Sequence, residues 1–299
     1  ITGGTPGVLH GTRSYVLQDD VSKDTQVQFS SILFSELTSN ITLNAAVNYR
    51  SLKSENYAQV RDLLGSNGFL DIDTFANSES GDGAGDLQSN IAQSDVRNPN
   101  RIVGVGDRYK YNFDVNADVM SGFAQAQFKY SKVDFYLAAS LGATNYQRNG
   151  LYENGNYQGG NSSFGESEAL SFSTLGFKGG AVYKLTGRHL IDVNAGYLTK
   201  APSIRNSFSN SRQNNNVVEG LVEEKIQNLD VSYIFRSPIL KARVTGFYNA
   251  MQDQTDINFF FTESIQNADG GGTFVQEVLT GIESTRAGAE IGIEAQVTP

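Results

Sequence analysis

Ala287-Gly288-Ala289-Glu290-Ile291-Gly292-Ile293-Glu294-Ala295-Gln296-Val297 sorts its side chains by parity. Ala287, Ala289, Ile291, Ile293, Ala295 and Val297 fall on one face, and Gly288, Glu290, Gly292, Glu294 and Gln296 on the other. Successive side chains of a strand point to opposite faces, so the stretch predicts a β-strand with one apolar face. About eleven residues at ~3.3 Å each match the path of a tilted strand across a bilayer. The alternation recurs upstream. Leu240, Ala242, Val244, Gly246 and Tyr248 oppose Lys241, Arg243, Thr245 and Asn249, with Phe247 interrupting the polar face. Leu229, Val231, Tyr233 and Phe235 oppose Asn228, Asp230 and Ser232, while Val133, Phe135, Leu137, Ala139 and Leu141 oppose Asp134 and Ser140.

Nine such runs are marked, over 24–35, 40–53, 108–130, 133–151, 169–183, 189–200, 216–235, 239–261 and 272–297. Their connections alternate. Those at 35–40, 131–132, 184–188 and 236–238 are short, and those at 54–107, 152–168, 201–215 and 262–271 are long. An antiparallel sheet with its tight turns at one rim and its long loops at the other is the plan of an outer-membrane barrel. A soluble sandwich shares the alternation, with its apolar face as the core. Three features favour the barrel. Runs 108–130 and 239–261, among others, exceed twenty residues, against ~5–6 for an ordinary strand. The short turns keep to one side. Aromatics gather near run ends, at Tyr109, Tyr111, Phe128, Tyr130, Tyr146, Tyr152, Tyr233, Phe235 and Phe259 to Phe261, as interfacial girdles do. Gly187 is expected to supply positive φ in the 184–188 turn, and Pro238 to fix φ in the next.

Composition sets bounds. No Pro-rich linker or change of composition divides the 299 residues, so one architectural unit is expected. No run approaches ~18 apolar residues, so no membrane-spanning helix is predicted; strands escape that test. The net charge of −9 argues against nucleic acid, which demands a basic face. With no cysteine there are neither disulfides nor Cys-ligated metals. Neither a start Met nor a signal peptide precedes Ile1, which suggests a processed chain or a piece of a longer one.

Ser121-Gly-Phe-Ala-Gln-Ala-Gln-Phe-Lys-Tyr130 followed by Val133-Asp-Phe-Tyr136 resembles a barrel hairpin of TonB-dependent outer-membrane receptors. So do Tyr197-Leu-Thr-Lys-Ala-Pro-Ser-Ile-Arg-Asn-Ser-Phe208, Val222-Glu-Glu-Lys-Ile-Gln-Asn-Leu-Asp-Val-Ser-Tyr233 and Ala289-Glu-Ile-Gly-Ile-Glu-Ala295. The likeness covers 108–299 and, more loosely, 24–53. It implies an all-β, antiparallel transmembrane β-barrel, about 22 strands in this family and filled by an N-terminal plug. It also implies uptake of a scarce nutrient, energised by a periplasmic coupling protein acting through the plug. The sequence departs from that plan: neither a plug nor a coupling box is found, and nine runs fall short of a full barrel. Residues 1–299 are therefore read as a segment of the barrel domain in the Gram-negative cell outer membrane, contacting lipid, with no plug domain in this chain.

Candidates for chemistry are few. His10 and His189 lack companion ligands, so catalytic residues and enzymatic activity are not expected, and no cofactor is implied. Loop 54–107 carries Asp71, Asp73, Glu79, Asp82 and Asp86; its spacing does not match a Ca²⁺ loop, and it is read as a solvated acidic loop without metal. Ligand contact is assigned instead to amides, aromatic planes and cations of two other long loops. These are Tyr157, Asn161 and Phe164 in 152–168, and Arg205, Phe208 and Arg212 in 201–215. Glu290, Glu294, Lys241, Arg243 and Asp230 are expected to face the lumen, pairing across strands or meeting a plug. The function expected is nutrient uptake of a siderophore, oligosaccharide or peptide. A surface adhesion or structural barrel and an outer-membrane hydrolase are the alternatives.

Overall fold

The apolar–polar alternation closes into antiparallel ladders with few interruptions. The computed structural model describes residues 15–72, 90–263 and 273–296. The strands, in chain order, are β1 (Leu17–Thr38), β2 (Ile41–Asp62), β3 (Phe69–Leu70), β4 (Ile102–Val103), β5 (Arg108–Lys129), β6 (Val133–Gly150), β7 (Gly165–Glu166), β8 (Leu170–Lys184), β9 (His189–Lys200), β10 (Glu224–Arg236), β11 (Leu240–Thr262) and β12 (Thr273–Ala295). Nine of them form a meander in the order β1-β2-β5-β6-β8-β9-β10-β11-β12. Strands β3 and β4 pair with each other, and β7 adds to β6. The path does not close, since no pairing joins β1 to β12 among the described residues. The sheet is an arc of a barrel.

Lateral pairing shows which face is which. Ile41 pairs with Phe128, Phe128 with Phe135, Phe135 with Ala181, Ala181 with Val193, Val193 with Val231, Val231 with Gly246 and Gly246 with Ala289. Directly opposed residues share a face, so this row is one continuous apolar band. No second layer covers it. Leu141, Ile291 and Ile293 are 70%, 73% and 72% exposed. A sandwich would bury these side chains; a barrel offers them to lipid. The row also climbs. It starts at the first residue of β2 but meets β11 at Gly246, well past that strand's first residue, Leu240. That drift is the stagger of tilted barrel strands.

The opposite face is polar. The Arg243 guanidinium donates to Ser232 Oγ at 2.9 Å and lies 3.6 Å from Asp192, linking β9, β10 and β11. Lys241 meets Glu294 at 2.9 Å and Lys184 meets Asp134 at 2.7 Å. Phe247, the exception on this face, sits opposite Gly288, where an added Cβ would come within 2.8 Å of the ring. Glycine makes the room that the aromatic ring occupies.

Several expectations require correction. Strands β1 and β2 run past the predicted 24–35 and 40–53, because their polar outer ends still pair: Lys23 opposes Glu55, and Ser22 Oγ donates to Asn56 Oδ1 at 2.8 Å. Strand β10 begins at Glu224 rather than 216, since the preceding residues fold back and Val217 bridges Phe208. Tyr109 and Tyr111 are not girdle residues. Their parity points inward, where they are 4% and 5% exposed and donate to Gln18 Oε1 (2.6 Å) and Asp20 Oδ1 (3.0 Å). Gly187 does not take positive φ; Thr186 Oγ1 makes the turn instead, accepting from the Arg188 and His189 amides at 3.2 and 3.1 Å. The Ser237–Pro238 turn behaves as expected, with Leu240 donating to Ser237 Oγ at 3.0 Å.

Candidate functional site

At the long-loop rim, three loops knit together over the inner wall. The Val96 amide donates to Glu153 O at 2.8 Å and Gly155 to Gln93 O at 2.9 Å, joining 63–107 to 151–169. The Asn215 amide donates to Ser162 O at 2.8 Å, joining 151–169 to 201–223. Beneath them Ala58, Val60, Leu63, Val103, Tyr109, Tyr111, Phe113 and Val115 form an apolar cluster on the inward face. Burying this cluster while the lipid-side face stays bare is what holds the loops inward.

Two cations brace the assembly, Arg148 fully buried and Arg101 half-buried. Arg148, on β6, is 2% exposed. Its guanidinium lies 5.0 Å over the Phe113 ring, donates to Ser211 O at 2.7 Å and Ser163 O at 3.0 Å, and bonds Asn215 Oδ1. All its acceptors are neutral, so the charge is held by oriented dipoles and an aromatic face, with no counter-charge bonded to it. Arg101 bonds Asp71, and donates to Tyr152 Oη at 3.0 Å and to Arg108 O at 2.9 Å. Burial is the largest influence on the Arg101 pKa and lowers it, but Asp71 and Tyr152 together leave it above its ordinary value. Burial pushes the Tyr152 hydroxyl pKa up, partly offset by Arg101. Asp71 is therefore not the solvated acid expected of that loop, being buried and bonded to Arg101. Asp73, Glu79, Asp82 and Asp86, like His10, lie outside the described residues.

Inside this frame opens a cavity of about 750 Å³, between the outer ends of β1, β2, β5 and β11 and loop 201–223. Of the six predicted contact residues, Arg205, Phe208 and Arg212 line it. Arg205 sits in a short 3-10 turn (Ile204–Asn206) whose N-cap, Ser203, accepts from the Asn206 amide. Asn206 Nδ2 ties that turn to Thr255 O on β11 at 2.7 Å. Phe208 is 1% exposed and forms the floor. Arg212 lies 4.8 Å over the Tyr111 ring and 3.4 Å from Asp20 Oδ2. The run of Ser and Asn that suggested recognition is largely engaged in folding the loop. Asn214 Oδ1 accepts from Ser209 Oγ (3.0 Å) and from the Asn216 amide (3.1 Å).

Tyr157, Asn161 and Phe164 do not line the cavity; they support the loops around it. Phe164 lies under the Arg97 guanidinium at 4.2 Å, Asn161 O accepts from Asn215 Nδ2 at 2.7 Å, and Tyr157 O accepts from Ser163 Oγ at 2.6 Å. The cavity also takes residues that alternation could not identify, namely Asp20, Asn56, Ser94, Lys110 and Tyr111. Two lie on strand ends read as loop or left unmarked, and two belong to a strand irregularity. His189 lies at the opposite rim, with Nδ1 2.5 Å from Tyr233 Oη. It serves the aromatic belt there and is remote from the cavity.

The sequence matches no protein-family model, and no curated protein matches it. Solved structures do match in fold. The copper transporter OprC superposes with a TM-score of 0.61 at 11% identity, over 94% of this chain and 36% of its own. The FrpB iron transporter from Neisseria meningitidis (F3-3 variant) gives 0.55 at 13% identity, over 93% and 34%. The ferric-catecholate import receptor Fiu from K12 E. coli, in its closed form, gives 0.50 at 13%, over 94% and 36%. The chain thus spans about a third of the length of these transporters and receptors. At such identities the shared property is the fold, which is that of the β-barrel of TonB-dependent outer-membrane receptors, as the hairpin motifs implied.

Proposed function

We propose that this chain is a segment of the barrel domain of an outer-membrane receptor for active nutrient uptake, without catalytic chemistry of its own. The cargo would be captured at the long-loop rim and passed along the polar inner wall. Energy would come from a periplasmic coupling protein acting through a plug that lies outside these residues. The observation that carries the reading is the cavity of about 750 Å³, framed by interlocked loops on the inward side of a sheet whose outer face is apolar. That volume is in the range of small-molecule sites, roughly 300–1,000 Å³, and its lining mixes cations, amides and aromatic rings as such sites do. Arg205, Phe208 and Arg212 are the proposed contacts; Tyr157, Asn161 and Phe164 act behind them. The transporters of copper and iron with the same fold support uptake, and leave siderophore, oligosaccharide and peptide all open for this chain.

The test compares cells expressing the full-length protein with a deletion strain, by mass spectrometry of a defined medium before and after growth. Uptake predicts a compound depleted only by expressing cells, and only while the protonmotive force is intact. An adhesion or structural barrel would leave the medium unchanged and alter attachment instead. A hydrolase would convert a compound without any need for energy.

A further inference from the structure

We infer that a bulge in β5 builds an anion subsite in the rim cavity, with Lys110 and Arg205 as its charged groups, so that the ligand carries a negatively charged group beside a flat apolar part. The inference rests on the uptake-receptor reading and deepens it by naming the chemistry of the cargo.

The bulge is explicit in the register. Tyr57 of β2 opposes Asn112, but the next residue, Ala58, opposes Tyr109, which leaves Lys110 and Tyr111 without partners. Lys110 has φ +64°, a left-handed conformation unusual outside glycine. Parity would send Lys110 to the outer face with Asn112. Through the bulge, Lys110 and its neighbour Tyr111 both line the cavity. The strained conformation is held from behind. The Lys110 amide donates to Asp71 Oδ1 at 2.9 Å, and buried Asp71 is itself fixed by Arg101. Strain maintained by a buried carboxylate, itself fixed by an arginine, at the wall of a cavity marks a position where side-chain placement matters.

The charges of the cavity are unequal. Arg212 has Asp20 at 3.4 Å, but the ammonium of Lys110 and the guanidinium of Arg205 have no partner among the described residues. Two free cations face one lining acid that is already engaged. The rings of Tyr111, Phe208 and Phe259 supply the flat apolar wall.

Phthalate and its uncharged diamide, phthalamide, are suitable probes, since they share a ring and differ in charge. Binding to the purified full-length protein in nanodiscs is read by saturation-transfer NMR. The expected result is that phthalate binds at least about tenfold more tightly than phthalamide, the lower end for a hydrogen bond to a charged group. Lys110→Gln and Arg205→Gln should each bring the ratio of phthalate to phthalamide affinity close to one, whereas Lys110→Arg should keep it. Circular dichroism confirms that the variants remain folded. Equal binding of the two probes, equal weakening of both by Lys110→Gln, or binding of neither would overturn the inference. If energised uptake persists in cells while the probes fail, the receptor reading stands and only the anion subsite falls.

Discussion

Replacing Arg148 by Ala should unfasten the rim loops while leaving the sheet intact. The change strips three acceptors of their donor: Ser163 O and Asn215 Oδ1, both buried, and Ser211 O, half-buried. An orphaned buried polar group costs roughly 1–3 kcal/mol, so two of them at about 1.5 kcal/mol each, within that range, come to about 3 kcal/mol. Removing a guanidinium bonded only to neutral groups also removes a desolvation penalty, which acts in the opposite direction. Here the orphaning dominates, because the substituted methyl group fills none of the vacated space. About 3 kcal/mol is a factor of roughly 10² in an opening equilibrium. Hydrogen exchange of full-length protein in nanodiscs should therefore quicken by about that factor for amides in 207–217 and 161–166, with no change in the ladders of β8 to β11. Arg148→Lys, which keeps charge but cannot reach all three acceptors, should fall between. Unchanged loop exchange in Arg148→Ala would refute the reasoning. It would mean that backbone bonds such as Asn215 to Ser162 O and Val218 to Ser207 O hold the loops alone.

Four further outcomes are expected. Gly155→Ala places a Cβ about 2.2 Å from Asn90 O and Ile91 O, so it should destabilise the join between loops 63–107 and 151–169 by ~1–3 kcal/mol, read as faster proteolysis there. Leu141→Arg, on the bare apolar band, should cost ~2–4 kcal/mol in vesicle folding titrations, whereas Asp230→Asn on the inner wall should cost well under half of that. Lys241→Ala should change stability by no more than ~1 kcal/mol despite a 2.9 Å ion pair, since both partners are largely exposed. The Tyr152 pKa lies above its ordinary value of 10.0, so the folded state resists deprotonation that the unfolded chain undergoes. Its contribution is complete below pH about 10 and is lost as pH rises toward the folded value; loop 151–169 should loosen in that alkaline window, and less so in Tyr152→Phe.

The sheet was legible because lipid on one side and water on the other impose a period of two on every strand they touch. Leu229, Val231 and Tyr233 reveal their face to any reader who counts by twos. Legibility fails where that pressure stops. Beyond the membrane the outer face needs no apolar side chains, and on β2 the apolar residues Ala58 and Val60 turn inward, so Ser22, Lys23 and Asn56 carry no lipid-facing periodicity although they pair. The cavity was half legible. Arg205, Phe208 and Arg212 stood out as cations and an aromatic ring in a polar loop, and they do line it. Asn161 and Phe164 spend their contacts on neighbouring loops and Tyr157 on its own, a matter of distance that no local pattern encodes. Lys110 was hidden for a different reason, since an extra residue in a strand reads as ordinary alternation until its partner strand is known.

Arg148 sets the unit in which the rim could be rebuilt. Its acceptors are divided between two loops far apart in sequence, and Asn215 Nδ2 reaches back to Asn161 O and Gly165 O. Grafting 151–169 alone from another protein would disturb one of the three acceptors of a buried cation, and grafting 201–223 alone would disturb the other two. Specificity could be transplanted only by moving both loops together with the residue at position 148, so chimaeras split between the two should misassemble even when each donor segment is functional at home.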